Sequence, residues 1–132
     1  MPKVLDAHAL MAYFLKQQGF EKVRDILSLA GQGHENLYMS SVNLGEVYYA
    51  TMRSYGEPRA EEVWQLVKTT FPIEVISADA SLSKKAGFYK AKNSLPYADC
   101  FAAALAHQKQ ASLVTGDRDF ESVQPEITID WL

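Results

Sequence analysis

The chain has 132 residues, of which 48% are apolar and 22% are charged, and its formal net charge is −3. We expect one domain spanning residues 1–132, and a chain of this size buries roughly two thirds of its unfolded surface, which excludes intrinsic disorder. A single cysteine excludes an intrachain disulfide, an iron–sulfur cluster and a cysteine-based zinc site. The mild acidity argues at first against a nucleic-acid-binding protein, because such proteins usually carry a basic excess.

Neither a targeting segment nor a membrane span is evident. The chain starts Met-Pro-Lys-Val-Leu-Asp, which places only two apolar residues before a carboxylate and is no signal-peptide core. No apolar run approaches the ~20 residues that a membrane helix needs. We therefore expect a cytoplasmic protein without a membrane partner.

Short β-branched runs alternate with longer helical patterns, which is typical of βαβ units around a parallel sheet. The first half of the chain predicts two strands and four helices, in the order strand 3–6, helix 9–15, helix 20–30, strand 37–40, helix 44–54 and helix 59–69. Gly31 and Gly33 end the second helix, and Gly56-Glu57-Pro58 separates the third helix from the fourth.

The second half predicts three more strands and two helices, in the order strand 73–76, helix 80–92, helix 97–108, strand 112–115, loop 116–121 and an edge strand 127–129. Asp79 is a plausible N-cap of the first of these helices, and Pro96 opens the second. The fold class is therefore α/β, a three-layer fold with a central, mostly parallel sheet of about five strands and helices on both faces.

Four acidic residues are expected at one edge of this sheet. Asp6 ends the first strand, and Asp117 follows the fourth. Glu46 lies in the first turn of the helix after the second strand, and Asp99 in the first turn of the helix that leads to the fourth. The functional crevice of an open parallel sheet lies at the carboxyl ends of its strands. If the helix of Asp99 also begins at that edge, all four acids converge.

A bare cluster of carboxylates is unfavourable, because like charges within ~4–6 Å raise one another's pKa. A hard divalent cation relieves this conflict, and Mg²⁺ prefers oxygen ligands. Zinc is not favoured, because His8, His34 and His107 show no ligand spacing. Carboxylate-held Mg²⁺ or Mn²⁺ commonly activates water against a phosphodiester, with one or two ions.

Each acid also has an ordinary structural interpretation. Asp6 is a possible N-cap of the first helix, and Asn43-Leu44-Gly45-Glu46 a possible capping box. Asp99 stands where a helix dipole favours a negative charge, and Asp117 in Gly-Asp-Arg-Asp suits a turn. One metal site explains all four positions together, whereas these local roles explain them one by one.

Four segments together carry a family resemblance, namely Val-Leu-Asp at 4–6, Ser-Val-Asn-Leu-Gly-Glu-Val at 41–47, Tyr-Ala-Asp-Cys-Phe-Ala-Ala-Ala-Leu-Ala at 97–106 and Leu-Val-Thr-Gly-Asp-Arg-Asp-Phe at 113–120. In that order the sequence resembles a PIN domain, and its length is similar to the VapC family of toxin ribonucleases from bacterial and archaeal toxin–antitoxin pairs. The likeness covers essentially the whole chain, and the third and fourth segments are its most specific parts.

The resemblance implies Mg²⁺- or Mn²⁺-dependent cleavage of RNA at an acidic pocket. The family's acidic quartet matches Asp6, Glu46, Asp99 and Asp117. Supporting polar positions of the family match Thr115, Ser41 and Asp119. Similar proteins form homodimers and are held inactive by an antitoxin protein whose C-terminal segment fills the acidic groove.

On this interpretation Asp6, Asp99 and Asp117 hold the metal ion, and Glu46 completes the shell or orients the attacking water. The products are expected to carry 5′-phosphate and 3′-hydroxyl ends. Arg118 and Arg53 are candidate contacts to the RNA backbone.

The sequence departs from the family at His8, where members often carry Ser or Thr two residues after the first Asp. The same residue weighs against a rival interpretation, a phosphatase of the haloacid-dehalogenase type, because that chemistry needs a second Asp there. Two further hypotheses stay open, namely an inactive PIN-like binding module and a housekeeping PIN nuclease without an antitoxin.

The four proposed site acids also change the meaning of the net charge. Setting them aside leaves 12 of the 16 acidic residues against 13 Lys and Arg. A nearly neutral scaffold with a carboxylate pocket is therefore as consistent with the composition as an acidic protein is, and an RNA substrate is not excluded.

Overall fold

A computed structural model describes residues 1–132. Five parallel strands form one sheet, namely β1 Lys3–Leu5, β2 Leu37–Ser40, β3 Glu74–Ile76, β4 Ser112–Thr115 and β5 Ile129–Trp131. Their order across the sheet is β3-β2-β1-β4-β5, so the last strand lies at an edge, as predicted. Leu5 of β1 is in register with Val114 of β4, and these central strands therefore end side by side.

Six α-helices accompany the sheet, namely α1 Ala7–Phe14, α2 Phe20–Gly31, α3 Ser41–Tyr55, α4 Glu57–Gln65, α5 Ala80–Lys92 and α6 Tyr97–Lys109. A π-helical turn at Leu66–Thr70 extends α4, and a 3₁₀ helix at Arg118–Val123 follows β4. None of the helices is long and apolar enough to cross a bilayer.

Alternate residues of the central strands feed two separate cores. Val4 and Leu113 pack with α5 and α6 on one face of the sheet. Leu5 and Val114 pack with α1, α2, α3 and α4 on the other. Both faces of the parallel sheet are thus covered, and the predicted three-layer α/β fold is confirmed.

Local capping moves two helix starts from the predicted positions. The side chain of Asp6 accepts a hydrogen bond from the Ala9 amide, so α1 begins at Ala7 and not at residue 9. Ser40 caps α3 through the Val42 amide, and this helix begins three residues earlier than predicted. The alternative interpretation of Asn43–Glu46 as a capping box is therefore not supported, and Glu46 lies in the second turn of the helix, not in the first turn as predicted.

Other boundaries also shift. Gly56, at a φ of 92°, reverses the chain, and Pro58 then fits the first turn of α4, which starts at Glu57 and not at residue 59. The predicted loop 116–121 overlaps the 3₁₀ helix at Arg118–Val123, and the turn after this helix places Ile127 in the core next to α5 and α6. Because Ile127 is used in that turn, β5 starts two residues later than predicted.

Helix α6 is unusually deeply embedded. All seven residues from Cys100 to Ala106 are buried, and four of them are alanines. Small side chains let a helix approach its neighbours closely, and α6 contacts β1, β2 and β4 across the sheet. The first turn of this helix is thereby held against the carboxyl end of the central strands.

Candidate metal centre

The centre of the sheet contains a point where the direction of winding changes. From β1 the chain moves outward through β2 to β3, and then crosses back to β4 on the other side of β1. Asp6 directly follows β1, and Asp117 lies two residues after β4. Ligands of open α/β sheets bind at such a switch point, outside the carboxyl ends of the strands.

Asp6 is held by hydrogen bonds on both of its carboxylate oxygens. Its side chain is 2% exposed. Oδ1 accepts from the Ala9 amide at 2.8 Å, and Oδ2 accepts from Thr115 Oγ1 at 2.5 Å. Asp6 is therefore the N-cap of α1. This local role does not move it away from the switch point, where a metal site is expected.

Thr115 links the first acid to the last. Its hydroxyl donates to Asp6 and accepts from the Asp117 amide at 3.0 Å. Asp117 in turn accepts from the Asp119 amide at 3.0 Å and caps the 3₁₀ helix. A fully buried threonine thus orients Asp6 and the backbone of Asp117 together.

Asp99 is the third residue of α6 and is half-buried. Burial raises its pKa to about 7, and the negative charges of Glu46, Asp117 and Asp119 contribute to the same shift. Burial also raises the pKa of Asp6 to about 7, against hydrogen bonds from Thr115 and Ala9 that lower it and with smaller repulsion from Asp99 and Asp117. The carboxylates therefore lie within electrostatic reach of one another.

Glu46 is placed by a residue whose role the sequence did not reveal. Asn43 Nδ2 donates to Glu46 Oε1 at 2.8 Å and to the Ala98 carbonyl at 3.1 Å, which ties α3 to the start of α6. Burial raises the pKa of Glu46, and the hydrogen bond from Asn43 opposes the rise. Asn43 Oδ1 is buried without any hydrogen-bond partner.

The four acids fit a cation by their chemistry. None of them forms an ion pair with Lys, Arg or His. Raised carboxylate pKa values without a basic partner indicate a negative charge that the protein itself does not neutralise. No three acidic, His or Cys side chains gather around one point closely enough to hold an ion directly. An open oxygen site of this kind suits Mg²⁺, which retains several water ligands.

The remaining predicted residues have separate positions. Ser41 Oγ accepts from the Ala78 amide at 3.0 Å and braces the loop between β3 and α5. Asp119 is exposed beside Asp117 and contributes repulsion to Asp99. Arg53 lies two turns beyond Glu46 on α3, with its guanidinium 5.0 Å from the centre of the Tyr49 ring.

His8 and Arg118 lie next to Gly116, the residue between Thr115 and Asp117. The His8 ring is packed against Gly116, and the Arg118 guanidinium stands 4.2 Å from the centre of the Trp131 ring. Both side chains are exposed. The structure thus brings together Asp6, Thr115, Asp117, Asp99 and Glu46, and it leaves Arg53 outside this group.

Comparisons with known structures give the same fold. One similar structure is VapBC2 from Rickettsia felis bound to a DNA fragment from its promoter, in which the matching chain is 17% identical to this one with a TM-score of 0.77. The match covers 100% of this chain and 99% of that chain. DNA-bound VapBC from Salmonella typhimurium is 21% identical with a TM-score of 0.73, over 98% and 97%. VapC20 from Mycobacterium tuberculosis, a toxin that cleaves the sarcin–ricin loop, is 16% identical with a TM-score of 0.75, over 92% and 95%.

No functionally curated protein matches the sequence significantly. The family comparison is direct, since residues 3–124 match the model described as PIN domain. That match includes all four acids and every strand but the last. With its VapC-like architecture, the chain belongs to the PIN domain family.

Proposed function

We propose that this protein is a divalent-metal-dependent endoribonuclease and the toxin of a toxin–antitoxin pair. The supporting observation is the hydrogen-bonded arrangement of Asp6, Thr115 and Asp117 at the switch point, next to Asp99. Two of these carboxyls have pKa values of about 7 and no basic partner. A site that concentrates unneutralised carboxylates in this way is suited to a cation and a phosphodiester, not to an anionic ligand alone.

Asp6, Asp99 and Asp117 are the residues that would hold Mg²⁺ or Mn²⁺, directly or through water. The ion supplies a Lewis acid and a bound water of lowered pKa. Thr115 keeps Asp6 in one orientation, so the carboxylate needs little rearrangement when charge changes nearby. Asn43 occupies one oxygen of Glu46, which leaves the other oxygen to orient the attacking water.

The similar structures support a proposal for the partner and the substrate. Two of the similar structures are VapBC assemblies bound to DNA, and another is a toxin described by the RNA loop that it cleaves. We therefore propose RNA as the substrate, a cognate antitoxin as the inhibitory partner and a homodimer as the assembly. Arg118, beside Asp117, is the better placed of the two candidate backbone contacts, and Arg53 the weaker.

The decisive experiment compares Asp99→Asn with Asp25→Asn, an exposed acid on α2 that serves as the matched control. We expect the wild type and Asp25→Asn to cleave single-stranded RNA in Mg²⁺ and to stop in EDTA. Asp99→Asn should lose at least about 100-fold in rate, the loss typical when one electrostatic stabiliser is removed.

Unchanged Mg²⁺-dependent cleavage by Asp99→Asn would contradict the proposed site. A phosphate monoester is assayed in parallel. Hydrolysis of that ester without any cleavage of RNA would favour the phosphatase interpretation instead, and inactivity on both substrates would favour a binding module.

A further inference from the structure

A polar cavity of about 280 Å³ lies beside the metal centre. We call it the glutamine cavity, and its lining consists of His8, Gln17, Gln18, Gly116, Arg118 and Leu132. Gly116 directly precedes Asp117, and His8 follows Asp6 by two residues. Two of its lining residues are therefore close neighbours of the acids along the chain, but no carboxylate side chain lines the cavity.

One wall is set by the contact between His8 and Gly116. A Cβ atom at residue 116 would lie 2.6 Å from His8 Cε1 and 3.2 Å from Nδ1. Even an alanine there would have to displace the imidazole ring. The glycine thus allows the exposed His8 ring to lie along the backbone that leads to Asp117.

Another part of the lining is a tight turn between α1 and α2 that contains two glutamines. Lys16 has a φ of 52° and Gly19 a φ of 92°, both left-handed conformations. The Gln17 amide donates to Ala12 O at 3.0 Å, and the Phe20 amide to Gln17 O at 3.0 Å. A non-glycine residue in a left-handed conformation stores strain, and such strain concentrates at binding sites.

The same turn is anchored from outside. A Cβ atom at Gly19 would lie 2.8 Å from Leu132 Cβ, so the glycine lets the turn and the segment after β5 approach closely. The backbone of Gln17 and Gln18 is thereby positioned, while both residues are exposed and line the cavity.

Arg118 supplies positive charge to the third wall. Its guanidinium packs over Trp131, and its nearest acidic partner, Glu121, is 3.8 Å away with both side chains more than half exposed, at 65% and 62%. An exposed pair at that distance neutralises little charge. The arginine therefore remains available to an anion.

We propose that the glutamine cavity binds one unpaired nucleotide of RNA adjacent to the scissile phosphate. This inference rests on the proposed ribonuclease function and extends it to a specificity subsite. The amides of Gln17 and Gln18 each offer a donor and an acceptor, which is the chemistry that recognises a base edge. Arg118 and His8 also line the cavity, and the planar guanidinium of Arg118 is suited to a phosphate.

Size and placement support a single nucleotide. Small-molecule pockets occupy roughly 300–1,000 Å³. A cavity of about 280 Å³ lies just below that range, so it leaves room for one small ligand and no more. Only Gly116 separates Thr115 from Asp117. A nucleotide held against Gly116 would therefore lie close to Asp117, and we expect its identity to influence where the RNA is cut.

The first test compares the double variant Gln17→Ala/Gln18→Ala with the control Gln108→Ala, an exposed glutamine on α6. Each protein digests an RNA pool of randomised sequence in Mg²⁺, and the cut sites are read by sequencing. We expect the double variant to lose base preference at a single position next to the cut, by about tenfold, which is typical of one hydrogen-bonded base contact. KM for a preferred substrate should rise by a similar factor, and Gln108→Ala should match the wild type.

The second test uses the contact between His8 and Gly116. Gly116→Ala displaces the imidazole without removing it, whereas His8→Ala removes it. We expect each variant to raise KM, and the double variant to be no worse than the more affected single variant. Additive increases in KM would show that the two residues act separately, and would contradict the proposed role of the contact between His8 and Gly116 in the subsite.

Binding without catalysis separates this inference from the proposed function. Wild type and Gln17→Ala/Gln18→Ala are titrated with a fluorescent single-stranded RNA in EDTA. Weaker binding by the double variant supports the subsite even if no cleavage is ever observed, which would contradict only the nuclease proposal. If the wild type cleaves RNA and the double variant has the same cut-site profile, only the subsite is overturned. The subsite is also overturned if the double variant binds RNA normally but no longer binds the antitoxin. Absence of both binding and cleavage in the wild type overturns both.

Discussion

Two groups of carboxylates in this protein follow opposite electrostatic rules. At the acidic centre, burial raises the pKa of Asp6 and of Asp99 to about 7, and no basic residue is paired with either. At the outer edge of the sheet, burial also raises the pKa of Asp130, but hydrogen bonds from Lys22 and Lys3 outweigh it and hold this pKa below its usual value. A neutralised carboxylate stabilises the fold, whereas an unneutralised one is kept at the expense of stability and indicates function.

The largest expected effect comes from supplying the missing positive charge. Mn²⁺ at about 100 times its Kd should stabilise the wild type by ~2.7 kcal/mol, a Tm increase of roughly 10 °C for a domain of this size. Asp6→Asn should respond by less than a third of that increase, because it removes a proposed ligand, and Asp25→Asn should respond fully. Equal shifts in all three proteins would refute the metal centre.

The next largest effect is expected when the Thr115 hydroxyl, which orients Asp6 and Asp117, is removed. Thr115→Val keeps the shape of a fully buried side chain but leaves Asp6 Oδ2 and the Asp117 amide without their partner. We expect a loss of about 1–3 kcal/mol in the free energy of unfolding, measured by urea denaturation. Thr115→Ser retains the hydroxyl and should lose clearly less, and an equal loss in both variants would show that only the methyl group matters.

Removing a charge from the acidic centre should stabilise the protein in EDTA. Because the pKa of Asp99 is raised in the fold, the ionised group opposes folding above pH 7, and this penalty disappears as the pH falls below the ordinary aspartate value of 3.8. The free energy of unfolding of Asp99→Asn should therefore exceed that of the wild type by on the order of 1 kcal/mol at pH 8. The two values should approach each other near pH 4. A gain of the same size at both pH values would contradict the electrostatic explanation.

The smallest effect is expected at Asp130, with the opposite sign. Its lowered pKa contributes stability that is present above the ordinary aspartate pKa and is lost as the pH falls through the folded value. Asp130→Asn should cost about 1 kcal/mol at pH 7, since its two lysine pairs are partly exposed. The cost should shrink below pH 4 in the same denaturation series, and a stabilised Asp130→Asn protein at pH 7 would remove the contrast between the two groups.

Strand order was predictable, because it depends on the alternation of elements and not on their exact ends. Strands β2 and β4 have the predicted bounds, and the carboxyl ends of β1 and β4 meet as the topology requires. That topology alone predicts that Asp6 and Asp117 meet, whereas the place of Asp99 required the further assumption that its helix begins at the same edge. The family resemblance pointed to the same residues, and PIN membership is confirmed.

The N-cap of α3 was harder to predict than the strand order, because several residues offered the same local chemistry. Ser40, Ser41 and Asn43 can each cap a helix, and only the packing of α3 decides that Ser40 does so. The role of Asn43 depends on a hydrogen bond to Ala98, 55 residues away, which no local pattern contains. The edge strand β5 shifted because burial of Ile127 in a turn outweighed its strand propensity.

The alanines of α6 act as a spacer that determines the depth at which Asp99 stands. Ala102, Ala103 and Ala106 have no exposed surface beyond 1%, so the helix lies as close to the sheet as backbone contact permits. A larger side chain at any of them would lift the helix and carry its first turn outward, with an overpacking cost of typically 1–3 kcal/mol. The distance between Asp99 and the acids on the strands therefore depends on residues that never contact a ligand. Substitutions in the core can change the geometry of this centre even when all of its acids are retained.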